Sequence, residues 1–139
     1  MDNFEVVLKM LKEGVDYFEA IELIKEEAAT VARVENYQLM IYPEPLGNPS
    51  FHVKYKDEWE VVLEMFTFKI LESKHGKFKK GNKLPKKIVD DIYAIILQKK
   101  NIGVITWKYM LQTWNDNNPK YPVDLKKNIP KNKLYNYLH

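Results

Sequence analysis

Apolar residues at Phe4, Val7, Leu8 and Leu11 recur at the spacing of one helical face, with Lys9, Lys12 and Glu13 turned away and Gly14 placed to stop the helix. After a turn over Gly14–Asp16, a second stripe of Phe18, Ile21, Ile24 and Ala28 predicts another helix, its outer side lined by Glu19, Glu22, Glu26 and Glu27. The two form an expected helical hairpin. From about Val34 the period changes to two. Tyr37, Leu39 and Ile41 alternate with polar or flexible residues, and Pro43, Pro45, Gly47 and Pro49 then mark a rigid loop. Phe51, Val53 and Tyr55 alternate with His52, Lys54 and Lys56, and Trp59, Val61, Leu63 and Met65 with Glu58, Glu60 and Glu64. These strands read as having one apolar and one charged face. Keeping the apolar sets on one side requires an odd loop, so Lys56–Glu58 is placed in the turn, pairing Tyr55 with Trp59 and Lys54 with Glu60. Phe66, Phe68, Ile70 and Leu71 extend the third strand or bend into a short fourth that ends near Ser73.

Pro85 suits a first helical position, where a missing amide hydrogen costs nothing. Ile88, Val89, Ile92, Tyr93, Ile95, Ile96 and Leu97 cover most of the helix that follows, leaving Lys87, Asp90, Asp91 and Gln98 as a narrow polar strip. Val104, Trp107, Leu111 and Trp114 mark a last helix that ends before Asn117, Asn118 and Pro119. Pro119, Pro122 and Pro130 then argue for an extended arm, with Leu125, Ile129, Leu134, Tyr135, Tyr137 and Leu138 as potential anchors. The expected architecture is a single α+β domain over residues 1–139. It comprises an acidic helical hairpin at 1–32, a three- to four-stranded antiparallel sheet with two C-terminal helices packed on it at 33–116, and an extended basic tail at 117–139.

Composition adds limits. A length of 139 residues suits one hydrophobic core, and 45% apolar with 29% charged residues is a globular profile. The chain has no cysteine, which removes disulfides, thiolate metal sites and thiol nucleophiles and fits a reducing compartment. No apolar run reaches the roughly 20 residues of a membrane span, and Met1 is followed by Asp2 and Glu5 rather than by an export signal, so the cytoplasm is the expected location. The net charge of +3 is unevenly spread: residues 1–30 carry three lysines against eight acids, and residues 74–100 nine lysines against Asp90 and Asp91. Arg33 is the only arginine, so the two-pronged donor that reads guanine edges is nearly missing and sequence-specific DNA readout is not expected.

Candidate chemistry is sparse. The three histidines, His52, His75 and His139, each stand alone in sequence, and neither a metal site nor a cofactor is expected. His52 lies on the strand face that also carries Lys54, opposite Glu60 and Glu64 on the neighbouring strand, and a carboxylate there would orient its imidazole. Such a pair beside a lysine is the minimum for a small hydrolase or nuclease; more often it is the arrangement by which a histidine fixes a hairpin, and no nucleophile or metal cradle accompanies it. The basic loop from Lys74 to Lys87 interleaves Phe78 with Lys77, Lys79, Lys80 and Lys83, a composition suited to lysine-driven, sequence-independent nucleic-acid binding, with phosphates on the lysines and a base stacked on the ring. Trp59, Trp107 and Trp114 fall in apolar registers and read as core.

The run Asn48-Pro49-Ser50-Phe51-His52-Val53-Lys54-Tyr55, the acidic-aromatic strand after it, Leu84-Pro85-Lys86 opening a helix, Trp114 closing the next, and Leu125-Lys126-Lys127-Asn128-Ile129-Pro130 together resemble the domain of unknown function 4160 family. The resemblance covers about residues 40–130; the acidic hairpin and the long basic loop depart from it, since members of that family usually open directly on the first strand. It implies a compact sheet followed by two helices, no established reaction, and membership of defence or toxin–antitoxin-like gene pairs, and it places His52 at the family's Pro-x-Phe-His position. The leading expectation is therefore a non-enzymatic protein-interaction module, a regulator or inhibitor, whose partner is another protein. Lysine-driven nucleic-acid binding comes second and a minimal hydrolase around His52 third. The inner stripes of the hairpin are just wide enough to be satisfied within one chain, while its exposed acidic face could still mediate self-association, so the sequence fits monomer and dimer alike.

Overall fold

The computed structural model describes residues 1–100 and 103–131; the anchors expected at Leu134, Tyr135, Tyr137 and Leu138, and His139, lie outside the described residues. Helix α1 (Asn3–Lys12) starts where the Asp2 carboxylate accepts the Glu5 amide hydrogen at 2.8 Å. The second helix is shorter than the apolar stripe predicts. Only Tyr17–Ile21 is α-helical (α2), capped by Asp16, and Glu22–Glu27 continues as a tight 3₁₀ segment. The tightening lets the chain leave the helix at Ala28 in an extended conformation and enter a strand at once.

Five strands follow: β1 (Ala29–Val34), β2 (Tyr37–Ile41), β3 (Ser50–Tyr55), β4 (Trp59–Glu64) and β5 (Ile70–Ser73). They form one antiparallel meander in sequence order, so the expected three or four strands are in fact five. The strand absent from the sequence reading is β1. A bulge between Thr30 and Ala32 makes Val31 and Ala32 consecutively buried and destroys the period of two by which a strand is recognised. The central hairpin agrees with expectation: Tyr55 pairs with Trp59 and Lys54 with Glu60 around a turn at Lys56–Glu58. Phe66 and Phe68 lie in the turn before β5 rather than on a strand.

Helix α3 (Lys86–Ile96) begins one residue later than expected, with Pro85 extended at its cap, and α4 (Thr106–Asn117) follows. Both cover the sheet face formed by Leu39, Ile41, Phe51, Val53, Val61 and Leu63, burying Ile92, Tyr93, Ile96, Trp107, Met110, Leu111 and Trp114 against it. The opposite face, expected to be charged and open, is covered too. Val7, Tyr17, Phe18, Ala20, Ile21 and Ile24 pack over Met40, Tyr42 and Val62, making the molecule a sheet with a core on each side. In the row Met40–His52–Val62, the central residue is therefore buried beneath α2.

Residues 118–131 follow α4 with neither helix nor strand and are held by side-chain hydrogen bonds. The Trp114 and Trp107 indoles donate to the Tyr121 and Lys127 carbonyls at 2.8 Å each, and Asn115 exchanges two hydrogen bonds with Val123. The Tyr93 hydroxyl donates to the Pro130 carbonyl, and Ile129 is buried while Leu125 stays exposed. Asn118, at the end of α4, joins the two layers: its side-chain amide donates to the Tyr42 and Trp114 carbonyls and accepts the Glu44 amide hydrogen at 2.6 Å. No helix among the described residues is long and apolar enough to cross a membrane.

Candidate functional site

His52 is the starting point because a strand position alternating with Phe51 and Val53 turns it towards the second face, where α2 closes over it. Its side chain is 1% exposed. The ring stacks on Tyr42 with centroids 4.0 Å apart and meets the edge of Phe18 at 6.2 Å. Both ring nitrogens are engaged. Nδ1 lies 3.0 Å from Glu60 Oε2, the diagonal cross-strand neighbour, and Nε2 lies 3.3 Å from the Tyr17 hydroxyl. Tyr17 in turn donates to Glu44 Oε2 at 2.9 Å. Glu44 sits between Pro43 and Pro45 in the rigid loop, 5% exposed, with the Leu46 amide and the Ser50 hydroxyl near enough to favour its charged form. A continuous buried chain thus runs Glu60–His52–Tyr17–Glu44.

Burial sets the electrostatics. It lowers the His52 pKa against the opposing pull of Glu60, and it raises the Tyr17 hydroxyl well above the ordinary phenol value, with the Glu44 carboxylate adding to the effect. The Glu44 carboxyl is pushed up to about 7, because desolvation outweighs the opposing pull of Tyr17, Leu46 and Ser50. Burial also raises Tyr42 to about 12, with Glu60 and Glu22 contributing.

Each end of the chain opens on a cleft. Glu60 forms part of a cleft of about 290 Å³ whose rim carries Lys54 and Lys56 from the β3–β4 hairpin and Lys74, His75 and Lys77 from the segment after β5. Asp57 and Glu58 complete the rim, and Trp59 forms its aromatic wall, stacked on Tyr55 and met edge-on by Phe78 at 5.4 Å. Lys54 makes a loose contact of 3.7 Å with the fully exposed Asp57. At the other end, Tyr17 and Glu44 line a cleft of about 210 Å³ with Leu46, Val62, Leu71, Glu72 and Lys80.

The sequence-designated residues are therefore split. His52, Lys54, Glu60 and Lys77 come together, with His52 beneath the cleft and the other three lining it. Phe78 is half-buried against the core, so its ring is a packing group here. Lys80 is paired with Glu72 at the second cleft, while Lys79 and Lys83 are exposed and line neither. Tyr17 and Glu44 were not legible as site residues. Their signals are slight: a tyrosine directly after the helix-capping Asp16, and a lone acid held between two prolines. Among the described residues, no group of three or more His, Asp or Glu side chains is placed to hold a metal ion.

No protein-family model, curated protein or solved structure matches the chain.

Proposed function

We propose that this chain is a small, non-enzymatic, cytoplasmic interaction module that binds an acidic segment of a partner protein in the lysine-rimmed cleft. The observation that carries this reading is the convergence of Lys54, Lys56, Lys74 and Lys77, from two separate parts of the chain, around one cleft with a tryptophan wall. Lysines on flexible stems attract carboxylates without fixing their geometry, which raises encounter rates and tolerates varied sequences. Asp57, Glu58 and Glu60 on the same cleft limit its positive balance and favour spaced carboxylates over a continuous phosphate backbone. Such a role suits a regulator or inhibitor in the defence or toxin–antitoxin-like gene pairs to which the family resemblance points. The non-enzymatic part is supported by His52: a general base must come within hydrogen-bond reach of a substrate proton, and both its nitrogens are already held inside the protein.

Nucleic-acid binding is the second reading, favoured by the exposed Lys77, Lys79 and Lys83. It is weakened by the inward packing of Phe78 and by the pairing of Lys80, Lys86 and Lys87 with Glu72, Asp90 and Asp91. Binding of hexaglutamate and of a single-stranded oligonucleotide, each measured with two charge-reversal variants, separates the readings. The triple variant Lys54→Glu/Lys74→Glu/Lys77→Glu is expected to weaken hexaglutamate binding roughly tenfold or more, and Lys79→Glu/Lys83→Glu far less. Stronger, salt-sensitive oligonucleotide binding lost in the second variant would replace the protein-partner reading with the nucleic-acid one.

A further inference from the structure

The buried chain holds fewer hydrogens than it has contacts. Three contacts run in series, Glu60–His52, His52–Tyr17 and Tyr17–Glu44, at 3.0, 3.3 and 2.9 Å. With both carboxylates ionised and the imidazole neutral, only the ring N–H and the phenol O–H are available to fill them. One contact goes without a hydrogen, and the longest lies between Nε2 and the phenol. A third hydrogen completes the series in either of two placements. On His52, both ring nitrogens donate, to Glu60 and to the Tyr17 oxygen, and the phenol donates to Glu44. On Glu44, the carboxyl donates to the Tyr17 oxygen, the phenol to Nε2, and Nδ1 to Glu60. Both placements add the same single proton, held at different points of one chain.

We propose that binding of an acidic segment in the lysine-rimmed cleft is coupled to uptake of one proton by the Glu60–His52–Tyr17–Glu44 chain. This rests on the interaction reading above and supplies its regulation. Glu60 is both a wall of that cleft and the end of the chain, so an anion drawn in by the lysines meets its negative charge at close range. Like charges at close range repel, and a proton taken up behind Glu60 offsets part of that cost. The proton comes from solvent and no other group changes state. Its exchange falls near neutrality because burial lifts the Glu44 carboxyl to about 7.

The groups facing the chain come from every layer around it. On the second face these are Tyr42 and, from the 3₁₀ segment, Glu22; at the Glu44 end, Glu72 with its partner Lys80; at the cleft, Lys54, Lys74, His75 and Lys77 with Asp57 and Glu58. His75 lines the cleft itself, and His139 is a further histidine. The test therefore uses the full chain carrying His75→Gln and His139→Gln, which leaves His52 as the only histidine.

The measurement is calorimetric titration with hexaglutamate in two buffers of different ionisation enthalpy. The peptide is N-acetylated, which removes the α-amino group that would titrate near neutrality, and its carboxyls are ionised throughout the range, so it contributes no proton of its own. The expected result is uptake of about half a proton at pH 7 and roughly threefold tighter binding at pH 6.5 than at pH 7.5. In Glu44→Gln the amide donates permanently to Tyr17. That variant is expected to take up no proton and to bind at pH 7.5 as tightly as its parent does at pH 6.5. Binding without proton uptake, or uptake unchanged in Glu44→Gln, overturns the coupling and leaves the interaction reading standing. No binding at any pH overturns the interaction reading, and the coupling with it. If the double histidine substitution alone abolishes binding, the same comparison between the native chain and Glu44→Gln decides the matter.

Discussion

Glu44 is a carboxyl group buried within hydrogen-bond distance of a phenol whose own ionisation burial suppresses. Folding shifts its pKa from the ordinary 4.5 to about 7, so between those values the folded chain holds a proton that the unfolded chain has released. Stability from this group is complete below pH 4.5 and is lost as the pH rises through 7. His52 works in the opposite sense. Its folded pKa lies below 6.5, so its contribution becomes complete as the pH rises past 6.5 and is lost as the pH falls through the folded value. Across pH 6.5 to 8 the loss of the Glu44 contribution exceeds the smaller gain from His52, and raising the pH over that window is expected to cost about 0.5 kcal/mol, or about 2 °C in Tm. Thermal melts at half-unit intervals check this. This downward slope is expected to be lost in Glu44→Gln, leaving only the slight rise from His52, and a downward slope that persists there would assign the titration elsewhere.

At the scale of the element, what the sequence reveals depends on how local its signal is. The β3–β4 hairpin was legible to the residue because two alternating runs of opposite polarity permit one odd loop, and the pairing of Lys54 with Glu60 follows from it. That His52 meets a carboxylate of the neighbouring strand, Glu60 or Glu64, was legible for the same reason, and the contact is made by Glu60, diagonally across that hairpin. Tyr17 and Glu44 were not, because they reach His52 only through a fold that brings α2 and the proline loop over the second sheet face. Burial of that face was hidden by its charged residues: Lys54 and Glu64 at its margins stay partly exposed while His52 and Val62 between them are covered. In the described residues after α4, 118–131, neither helix nor strand forms and side-chain hydrogen bonds hold the chain. Asn115→Ala removes the reciprocal pair with Val123 without opening the core. Trypsin is expected to cut after Lys126 or Lys127 several-fold faster in that variant, with a loss of about 1 kcal/mol per bond in urea unfolding. Unchanged cleavage would show that the two indole bonds alone hold the segment.

For the whole molecule, a five-stranded meander covered on both faces leaves β2, β3 and β4 interior, and β3 and β4 are the most continuously buried of them. They have neighbours on both edges and core against both sides. Amide hydrogen exchange is expected to be slowest in these two strands and to approach the free energy of global unfolding there. It is expected to be faster in the edge strands β1 and β5. Equal protection in all five strands would mean that the sheet opens only as one unit. The two cores are not independent layers, because Asn118 at the end of α4 grips the loop that carries Glu44 on the far side of the sheet. Every polar atom of its side chain is used, and conversion to aspartate would remove both donors and set a carboxylate against the Tyr42 and Trp114 carbonyls. Asparagine commonly ages to aspartate through attack by the next residue's backbone nitrogen on the side-chain amide. The next residue is Pro119, whose nitrogen carries no hydrogen and closes that route, so the amide that ties the two halves of the fold together is shielded from spontaneous deamidation by its own neighbour in the chain.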